Sequence, residues 1–318
     1  MVKVYSPRRY LNINIIPYYE ATQLRSPQYS VNQNAYLAAR SGIEGERFFD
    51  NFLQSLPSCQ YLKRIEFGEF SFVEFDFIVF TCEALCIFEV KHYRGPYLLE
   101  EGSLVHQHNK KIIHKNPFNQ LNRAQLLLQS MLQEIGVKLP VISALIFTHP
   151  EFTLLNPLAL KKQGTVLLRS ELNQLKQTVK AGCFKRNIHI MNELVKKSSP
   201  CKNKYIKVER LPFDTMKSGL RCPKCQKLTF EPPLARKRLW RCPHCEHELK
   251  QVDLIQCNLV ELFICKGEPF SLSEAMKWCN CEKGNNNQHK MLYRILMTTF
   301  KHVGITKDRR YYLEMELW

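Results

Sequence analysis

The sequence has little of what a membrane or secreted protein needs. No stretch approaches the run of about eighteen uninterrupted apolar residues that a transmembrane helix requires. Residues 1–9 lack the apolar centre of a secretory signal, and the chain has neither internal repeats nor long low-complexity tracts. These absences predict a globular, cytoplasmic protein without a membrane partner.

Acidic residues are scarce beside basic ones. The 318 residues include 46 Lys and Arg against 29 Asp and Glu, which gives a formal net charge of +17. The excess is uneven, since residues 161–210 hold thirteen Lys and Arg against three Glu, whereas residues 67–101 are acidic. A phosphate polymer is the commonest intracellular ligand for such a charge. Nucleic acid is therefore the favoured partner, with a solvated basic face or attraction to a membrane surface as alternatives.

Charged residues interrupt two apolar runs in the first third of the chain. Residues 74–80 are strand-forming and carry Asp76, and residues 87–91 carry Glu89 and Lys91. Burying a charge is costly unless it is paired or binds a metal, so three charges within buried strands need a reason. Chemistry is the favoured reason, and a buried structural ion pair is the alternative.

The two runs are predicted to be neighbouring antiparallel strands. Residues 81–84 make a short connection, which would bring Asp76 near Glu89 across the ladder. Glu89 and Lys91 share one face because successive strand residues point to opposite faces. Two close carboxylates repel each other unless a hard divalent cation lies between them, and Mg2+ prefers carboxylates, waters and substrate phosphate. We therefore predict a magnesium site at Asp76 and Glu89, with Lys91 orienting a water or stabilising charge on phosphorus.

Two helices are predicted beside these strands. The first opens at Gly42, ends before Pro57 and places Glu46 in its first turn, where the helix dipole alone already favours a carboxylate. The second starts at residues 116–120 and carries Gln120, which on its own is an ordinary polar residue of a first turn. Neither residue indicates function by itself.

Taken together, these pieces resemble the nuclease-related domain, NERD, a branch of the PD-(D/E)XK nuclease-like superfamily. The resemblance covers about residues 41–160 and depends on the order of several short motifs, none of which is specific alone. The motifs are Gly42, Gly45 and Glu46, then Asp76, then Glu89-Val90-Lys91 with Gly95, then Asn116-Pro117 and Gln120, and finally the strand 141–147. The nominal Pro of the superfamily is absent, since Phe75 precedes Asp76.

The resemblance implies an α/β fold with a restriction-endonuclease-like core, a mixed sheet flanked by helices. It also implies a phosphodiesterase that depends on Mg2+ or Mn2+. The catalytic residues that it implies are the metal-holding Asp76 and Glu89, Lys91 assisting the attacking water, Glu46 as a further acidic contact, and Gln120 on a helix near the site. A catalytically silent scaffold that binds nucleic acid is the alternative.

Four cysteines form two Cys-x-x-Cys pairs with sixteen residues between them. This spacing is the signature of a structural zinc site, because four thiolates supply the tetrahedral geometry that zinc prefers. A closed four-sulfur site leaves no position for a reacting water, so its zinc stabilises a fold and performs no catalysis. We predict a zinc ribbon, with disulfide pairing as the alternative. The ligands are Cys222, Cys225, Cys242 and Cys245.

A cationic run with one aromatic residue lies between the two cysteine pairs. Such a combination clamps phosphates and stacks on a base. The predicted nucleic-acid contacts are Arg236, Lys237, Arg238, Trp240 and Arg241. An equal alternative is a solvated basic hairpin in which Trp240 packs against a zinc knuckle.

Composition and breaks divide the chain into five predicted segments. They are an N-terminal arm (1–40), the NERD domain (41–160), a basic connection (161–217), the zinc ribbon (218–250) and a helical C-terminal unit (251–318). In the last segment Ser271 and Glu274 predict a helix start, residues 291–303 a second helix and residues 309–313 a strand. This order is compatible with a winged-helix-like DNA binder or with two helices that close a fold.

The favoured function is that of a Mg2+-dependent nuclease acting on DNA rather than RNA, with the zinc ribbon and the C-terminal unit positioning the substrate. One rival is the silent nucleic-acid-binding scaffold. Another is an adaptor that recruits a protein partner through the ribbon or the C-terminal unit.

Overall fold

The structure is a computed structural model and describes residues 14–67, 73–116, 118–162, 164–179, 184–200, 208–234, 237–305 and 308–313. These residues form two compact units, each with its own hydrophobic core. The central unit is Ala38–Lys202, and the terminal unit combines Met1–Leu37 with Asn203–Trp318.

The described residues form both helices and strands. The α-helices are α1 (Ile15–Thr22), α2 (Gln33–Gln54), α3 (Phe118–Glu134), α4 (Pro157–Lys161), α5 (Leu175–Thr178), α6 (Phe184–Lys197), α7 (Gln251–Lys266), α8 (Leu272–Trp278) and α9 (Asn286–Thr299). Short 3-10 helices lie at Tyr29–Asn32, Arg169–Gln174 and Phe213–Thr215. The strands are β1 (Gln60–Phe67), β2 (Val73–Phe80), β3 (Leu85–Lys91), β4 (Gly95–Glu100), β5 (Ser103–His106), β6 (Ile112–Lys115), β7 (Val141–Phe147), β8 (Phe152–Leu154), β9 (Thr165–Leu168), β10 (Ser199–Pro200), β11 (Leu220–Arg221), β12 (Leu228–Thr229), β13 (Leu239–Arg241), β14 (Glu248–Lys250), β15 (Lys301–Val303) and β16 (Arg310–Tyr312).

A mixed six-stranded sheet organises the central unit. Its strand order is β10-β1-β2-β3-β7-β9. The pairs from β10 to β3 are antiparallel, and the pairs β3–β7 and β7–β9 are parallel. A second sheet has the order β6-β5-β4-β8. The predicted α/β fold, a mixed sheet flanked by helices, is confirmed.

Two apolar clusters pack on the central sheet, because successive residues of a buried strand point to opposite faces. One cluster contains Ile78 of β2 with Leu128 of α3. The other contains Val79 of β2 with Phe49 of α2. The helices α2 and α3 therefore hold β2 and β3 from different sides and fix the position of the charged residues on them.

The terminal unit is built around one core that its N-terminal and C-terminal parts share. Ala21 of α1 belongs to this core together with Leu259 of α7 and Leu292 of α9. Two short hairpins, β11–β12 and β13–β14, precede α7, and the hairpin β15–β16 follows α9. Trp240 and Leu249, which pair across the second hairpin, pack against the same core.

Two predicted helix boundaries are wrong. The first helix begins at Gln33 and not at Gly42, since a helix interior tolerates Gly at a cost of about 1 kcal/mol. The last helix covers Asn286–Thr299 rather than 291–303, because Asn285 caps it by accepting bonds from the N–H groups of Asn287 and Gln288.

Other local predictions are confirmed. β2 and β3 are antiparallel neighbours, and Val141–Phe147 is a strand. Ser271 and Glu274 form the predicted capping box at the start of α8. In the part of the chain that the structure describes, no helix has both the length and the apolar character needed to cross a membrane.

Candidate active site and four-cysteine cluster

The acidic residues of β2 and β3 lie side by side on this strand pair. The ladder pairs Phe77 with Phe88, so Asp76 and Glu89 take the next opposing positions. The backbone N–H of Val90 donates a hydrogen bond to Asp76 Oδ2 at 2.8 Å. Both carboxylates are buried, with Asp76 9% and Glu89 5% exposed. The predicted proximity of Asp76 to Glu89 is confirmed.

Lys91 makes an ion pair with Glu89 on the same face of β3. Its Nζ donates to Glu89 Oε1 at 2.6 Å, and its side chain is only 14% exposed. Burial acts to lower the pKa of Lys91, but the charge and hydrogen bond of Glu89, together with Tyr93 and Asp76, outweigh it and raise the pKa above its usual range. Lys91 therefore carries a proton at neutral pH and acts as a hydrogen-bond donor, not as a base.

Asp76 lies in an environment that disfavours its negative charge. Burial raises the pKa of Asp76 well above its usual range, and the charges of Glu89 and Glu46 act in the same direction. Lys91 and the N–H of Val90 oppose these effects without cancelling them. The two buried carboxylates of Asp76 and Glu89 share the single positive charge of Lys91. A bound cation would supply the missing positive charge.

The donor atoms of Asp76 and Glu89 fit a hard divalent cation. Asp76 Oδ1 and Glu89 Oε2 receive no hydrogen bond from the described residues, because the bonds of these carboxylates go to Oδ2 and Oε1. Mg2+ prefers a few such oxygens together with waters and substrate phosphate. Among the described residues, only a cysteine cluster brings three or more His, Cys, Asp or Glu ligand atoms within 4.8 Å of one another. A cation here would thus take two protein carboxylates.

Glu46 faces the same region from α2. It lies deep inside this helix and not in the first turn, which corrects the prediction, because the helix starts at Gln33. Its Oε2 is 3.4 Å from Arg64 Nε. Burial raises the pKa of Glu46, and Glu74 and Glu89 add to the effect against the opposing charge of Arg64.

Two residues of this region were missed in the sequence. Glu74 precedes Asp76 by two positions on β2, so the strand period of two was the available signal for a shared face. Arg64 lies between the pairs Lys63–Phe77 and Ile65–Phe75, at the register position opposite Asp76. Its φ of 51° falls in the left-handed region, which costs energy for a residue other than Gly and has no sequence signal here.

Gly45 allows α2 to approach the end of β3 closely. A Cβ at this position would lie 2.6 Å from His92 Cβ and 2.9 Å from Thr148 Oγ1. His92 and Thr148 are themselves joined by a hydrogen bond of 2.8 Å between Nδ1 and Oγ1. Gly42, by contrast, has open space around it. Of the two motif glycines on α2, only Gly45 is required by this close approach, which places the following residue, Glu46, near the strands.

Gln120 is not brought into the charged cluster by a direct bond. It lies in the first turn of α3 and is half-buried. Within the described residues no hydrogen bond joins it to Asp76, Glu89 or Lys91. The role implied for Gln120 stays a prediction.

The charged cluster lies within a stretch that matches a known family. Residues 41–148 match the family model described as the nuclease-related domain, NERD. These residues are a NERD domain. No curated protein and no solved structure matches the chain. The NERD match includes all of the residues to which the sequence assigned catalytic roles: Glu46, Asp76, Glu89, Lys91 and Gln120.

The four cysteines outside the NERD domain come together as predicted. Their Sγ atoms all lie within 4.8 Å of one another. The pairs Cys222–Cys245 and Cys225–Cys242 are separated by 3.8 and 3.7 Å. A zinc–sulfur bond of about 2.3 Å implies tetrahedron edges of about 3.8 Å, so the cluster fits Zn2+. The thiols are free cysteines, which excludes the disulfide alternative in this structure.

Both cysteine knuckles have the same backbone geometry. The N–H of Cys222 donates to Lys227 O at 3.0 Å, and the N–H of Cys242 donates to His247 O at 2.9 Å. Gln226 and Glu246, each directly after the second cysteine of its pair, have left-handed φ values of 64° and 58°. The two hairpins therefore present their cysteines in equivalent ways, as expected for a zinc ribbon.

The cationic run of the ribbon is divided by the fold. Lys237 and Arg238 are exposed, whereas Trp240 is half-buried against the core of the terminal unit. Arg241 is paired with Glu246 at 3.0 Å. Arg236 lies outside the described residues. Trp240 thus packs against the core of the terminal unit, and its contact with nucleic acid stays a prediction.

Proposed function

We propose that the NERD domain is a metal-dependent nuclease that hydrolyses phosphodiester bonds of nucleic acid, with DNA preferred over RNA. The observation that carries the proposal is the excess of buried negative charge at Asp76 and Glu89 beside a protonated Lys91. Such an arrangement costs stability unless a cation is bound. A phosphodiester substrate needs that cation and a nearby hydrogen-bond donor.

The proposed roles follow from the state of each side chain. Asp76 and Glu89 would hold Mg2+ or Mn2+ through their free oxygens. When bound, such an ion supplies Lewis-acid activation of the phosphodiester. Lys91 keeps its proton, so its ammonium orients the attacking water or stabilises negative charge that develops on the phosphate oxygens.

Glu46 and Gln120 have supporting roles in the proposal. Glu46 adds an acidic contact at the edge of the site, and its ion pair with Arg64 limits the positions of its carboxylate. Gln120 supplies a neutral polar group from the first turn of α3. Neither residue replaces Asp76, Glu89 or Lys91 in the chemistry.

A catalytically silent scaffold is the weaker candidate. A protein that only binds nucleic acid gains nothing from burying carboxylates that repel each other, and apolar residues at these positions would stabilise the sheet. The presence of both carboxylates with Lys91 therefore favours an enzyme.

The ribbon is proposed as a structural zinc module that supports binding. Cys222, Cys225, Cys242 and Cys245 hold Zn2+, and the closed site takes no part in catalysis. The exposed Lys237 and Arg238 then contact the phosphate backbone of the substrate. Recruitment of a protein partner by the same surface is the second candidate role.

The proposed activity is tested by metal-dependent cleavage of labelled single-stranded and duplex DNA and RNA. We expect cleavage with Mg2+ or Mn2+ and none with a chelator. Lys91→Ala should lower the rate at least about 100-fold, since removing one group that stabilises developing charge costs that much. Asp76→Ala should abolish cleavage and leave nucleic-acid binding largely intact.

Lys110→Ala is a matched control. Lys110 forms an exposed pair with Glu100 at 3.5 Å, so its loss should not change the cleavage rate. Wild-type cleavage by both Asp76→Ala and Lys91→Ala would overturn the assignment of the site. Absence of metal-dependent cleavage from wild-type protein on every substrate would overturn the activity itself.

A further inference from the structure

The last part of the terminal unit has the element order of a winged helix. After α7, Phe270 forms an antiparallel bridge with Tyr311 of β16, through N–H to O bonds of 3.0 and 2.7 Å. α8 and α9 follow, and β15 pairs with β16 in a terminal hairpin. Three helices thus precede a hairpin that continues directly from α9.

The helix α9 has one buried face and one exposed face. Leu292, Ile295 and Leu296 are buried in the core of the unit. The exposed residues are Asn286, Asn287, His289, Lys290, Tyr293, Arg294, Met297 and Thr298. α9 contains no Asp and no Glu. The exposed face thus carries Lys290 and Arg294 among polar residues, Tyr293 and Met297, with no acidic residue, and its positive charge favours an anionic partner.

The terminal hairpin extends this basic face. Arg309 Nη1 donates a hydrogen bond to the hydroxyl of Tyr293 at 2.9 Å, which joins the hairpin to the exposed side of α9. The residues of β15, Lys301–Val303, are exposed, and Ile305 beyond them is 79% exposed. Residues 286–312 contain six Lys and Arg against one Asp. The hairpin therefore adds positive charge beside the exposed face of α9, although Arg310 is itself paired with Glu274.

We propose that α9 enters the major groove of B-form duplex DNA while the β15–β16 hairpin lies along the neighbouring backbone. The major groove of B-DNA is about 12 Å wide and admits an α-helix. The major groove of A-form RNA is too deep and narrow for side chains to read. Lys290 and Arg294 reach phosphates or guanine edges, and the amides of Asn286 and Asn287 offer hydrogen bonds to bases.

This surface is distinct from the NERD site, and its DNA binding does not depend on nuclease activity. The proposal gives the terminal unit duplex DNA as its partner. The sequence alone had left two alternatives for the C-terminal segment, a winged-helix-like DNA binder and two helices that close a fold. It also gives a physical reason for a preference for DNA over RNA that the NERD site itself does not provide.

The test measures binding by full-length protein in a chelator, so that cleavage is absent. Fluorescence anisotropy with a labelled DNA duplex, an RNA duplex of the same sequence and a single strand is recorded at several salt concentrations. We expect the DNA duplex to bind most tightly. Lys290→Ala with Arg294→Ala should weaken duplex DNA binding at least about tenfold and lower the salt slope by about 2, since two phosphate contacts are lost.

The double variant Lys111→Ala with Lys138→Ala is the charge-matched control, because both lysines are exposed in the central unit. It should bind like wild type. Zinc content reports whether the terminal unit of each variant is folded. The inference is overturned if the Lys290 and Arg294 variant, with zinc retained, binds the DNA duplex like wild type, if the control loses as much affinity, or if duplex RNA binds as tightly as duplex DNA. None of these results bears on whether the NERD domain cleaves.

Discussion

Each unit of the molecule buries a cluster of charged side chains, and the two clusters differ in how well the charges are compensated. In the terminal unit Arg25 is fully buried and its Nε lies 2.9 Å from Glu261 Oε1. Arg221 pairs with the same carboxylate at 3.0 Å. In the central unit Asp76 and Glu89 share one Lys91. One cluster has two cations for one anion, and the other has the reverse.

The partners of Arg25 show why its cluster is stable. The guanidinium donates to the carbonyl oxygens of Lys217 and Gly219 and to the Oδ1 atom of Asn258. It also lies over the ring of Trp278, with its carbon 4.0 Å from the ring centroid. The surplus positive charge is thus spread over neutral acceptors and an aromatic face. Within the described residues, the surplus negative charge of Asp76 and Glu89 has far less compensation, since the neutral donor given to it is the N–H of Val90.

The difference distinguishes buried charges that stabilise a fold from buried charges that are kept for binding a cation. A satisfied network holds parts of a fold together and leaves nothing for a ligand to bind. An unsatisfied pair of carboxylates lowers stability and is retained where a cation completes it. The contrast predicts opposite outcomes when charges are removed from the two units.

Loss of zinc should give the largest effect, because a structural zinc site contributes on the order of 10 kcal/mol to folding. We expect about one zinc per chain in wild-type protein and a large loss in Cys242→Ser, with partial unfolding of the terminal unit in spite of its satisfied hydrogen-bond network around Arg25. Elemental analysis and near-ultraviolet circular dichroism measure both effects.

Cys257→Ser is the matched control for zinc binding. Cys257 lies exposed on α7 of the same unit and is not part of the cluster. Its variant should keep the zinc. Unchanged zinc in Cys242→Ser would show that the chosen ligands are wrong.

Removing Arg25 should give the next largest effect. Arg25→Ala leaves Glu261 buried with a single remaining cation, and breaking a buried pair costs about 3–5 kcal/mol. Urea unfolding followed by tryptophan fluorescence measures the loss. Arg94→Ala is the control, because its pair with Glu151 is exposed and contributes at most about 1 kcal/mol.

A double variant makes the Arg25 test sharper. Arg25→Met with Glu261→Met removes both partners and should recover part of the stability lost in Arg25→Ala, since no carboxylate is left buried. Equal stability of Arg25→Ala and wild type would mean that the network does not stabilise the terminal unit.

Neutralising Asp76 should stabilise the protein, whereas removing Arg25 should destabilise it. The pKa of Asp76 is raised in the folded protein, so the folded state binds this proton more tightly than the unfolded state does. The stability that the bound proton contributes is fully present below the pKa of Asp76 in the unfolded chain. It is lost as the pH rises through the pKa of Asp76 in the folded protein. Without a divalent cation, Asp76→Asn should therefore be more stable than wild type at neutral pH, and the difference should disappear in acid.

Urea unfolding from pH 4 to pH 8, in chelator and in Mg2+, checks this result. Mg2+ should stabilise wild type and have little effect on Asp76→Asn, because it binds the folded carboxylate pair. The comparison between the clusters fails if Asp76→Asn is less stable than wild type at neutral pH in chelator.

Much of the NERD cluster could be predicted because its signals are local. The short connection between β2 and β3 predicted that they are neighbours, and the strand period predicted that Glu89 and Lys91 share one face. Outside the NERD domain, the spacing of four cysteines predicted their cluster. Each signal depends on residues that are close in sequence or on a fixed repeat.

The remaining features depend on contacts that sequence patterns do not show. Arg25 meets Glu261 across 236 positions of the chain, and nothing in its polar surroundings indicates burial. The helix α7 was not predicted because it is buried on most sides and lacks the periodic polar face of a surface helix. The extent of α2 was missed because its first turns have few buried residues.

The smallest expected effect concerns the zinc ribbon, where paired and exposed cations lie close together in sequence. Lys237→Glu with Arg238→Glu should weaken nucleic-acid binding severalfold and lower its salt slope, because fewer counterions are released when fewer phosphates are neutralised. Cleavage at saturating substrate should change much less. Arg241→Gln is the matched control, since Glu246 already neutralises Arg241. Unchanged affinity and salt slope in the double variant would show that the ribbon does not contact the substrate. That result would favour a role in binding a protein partner.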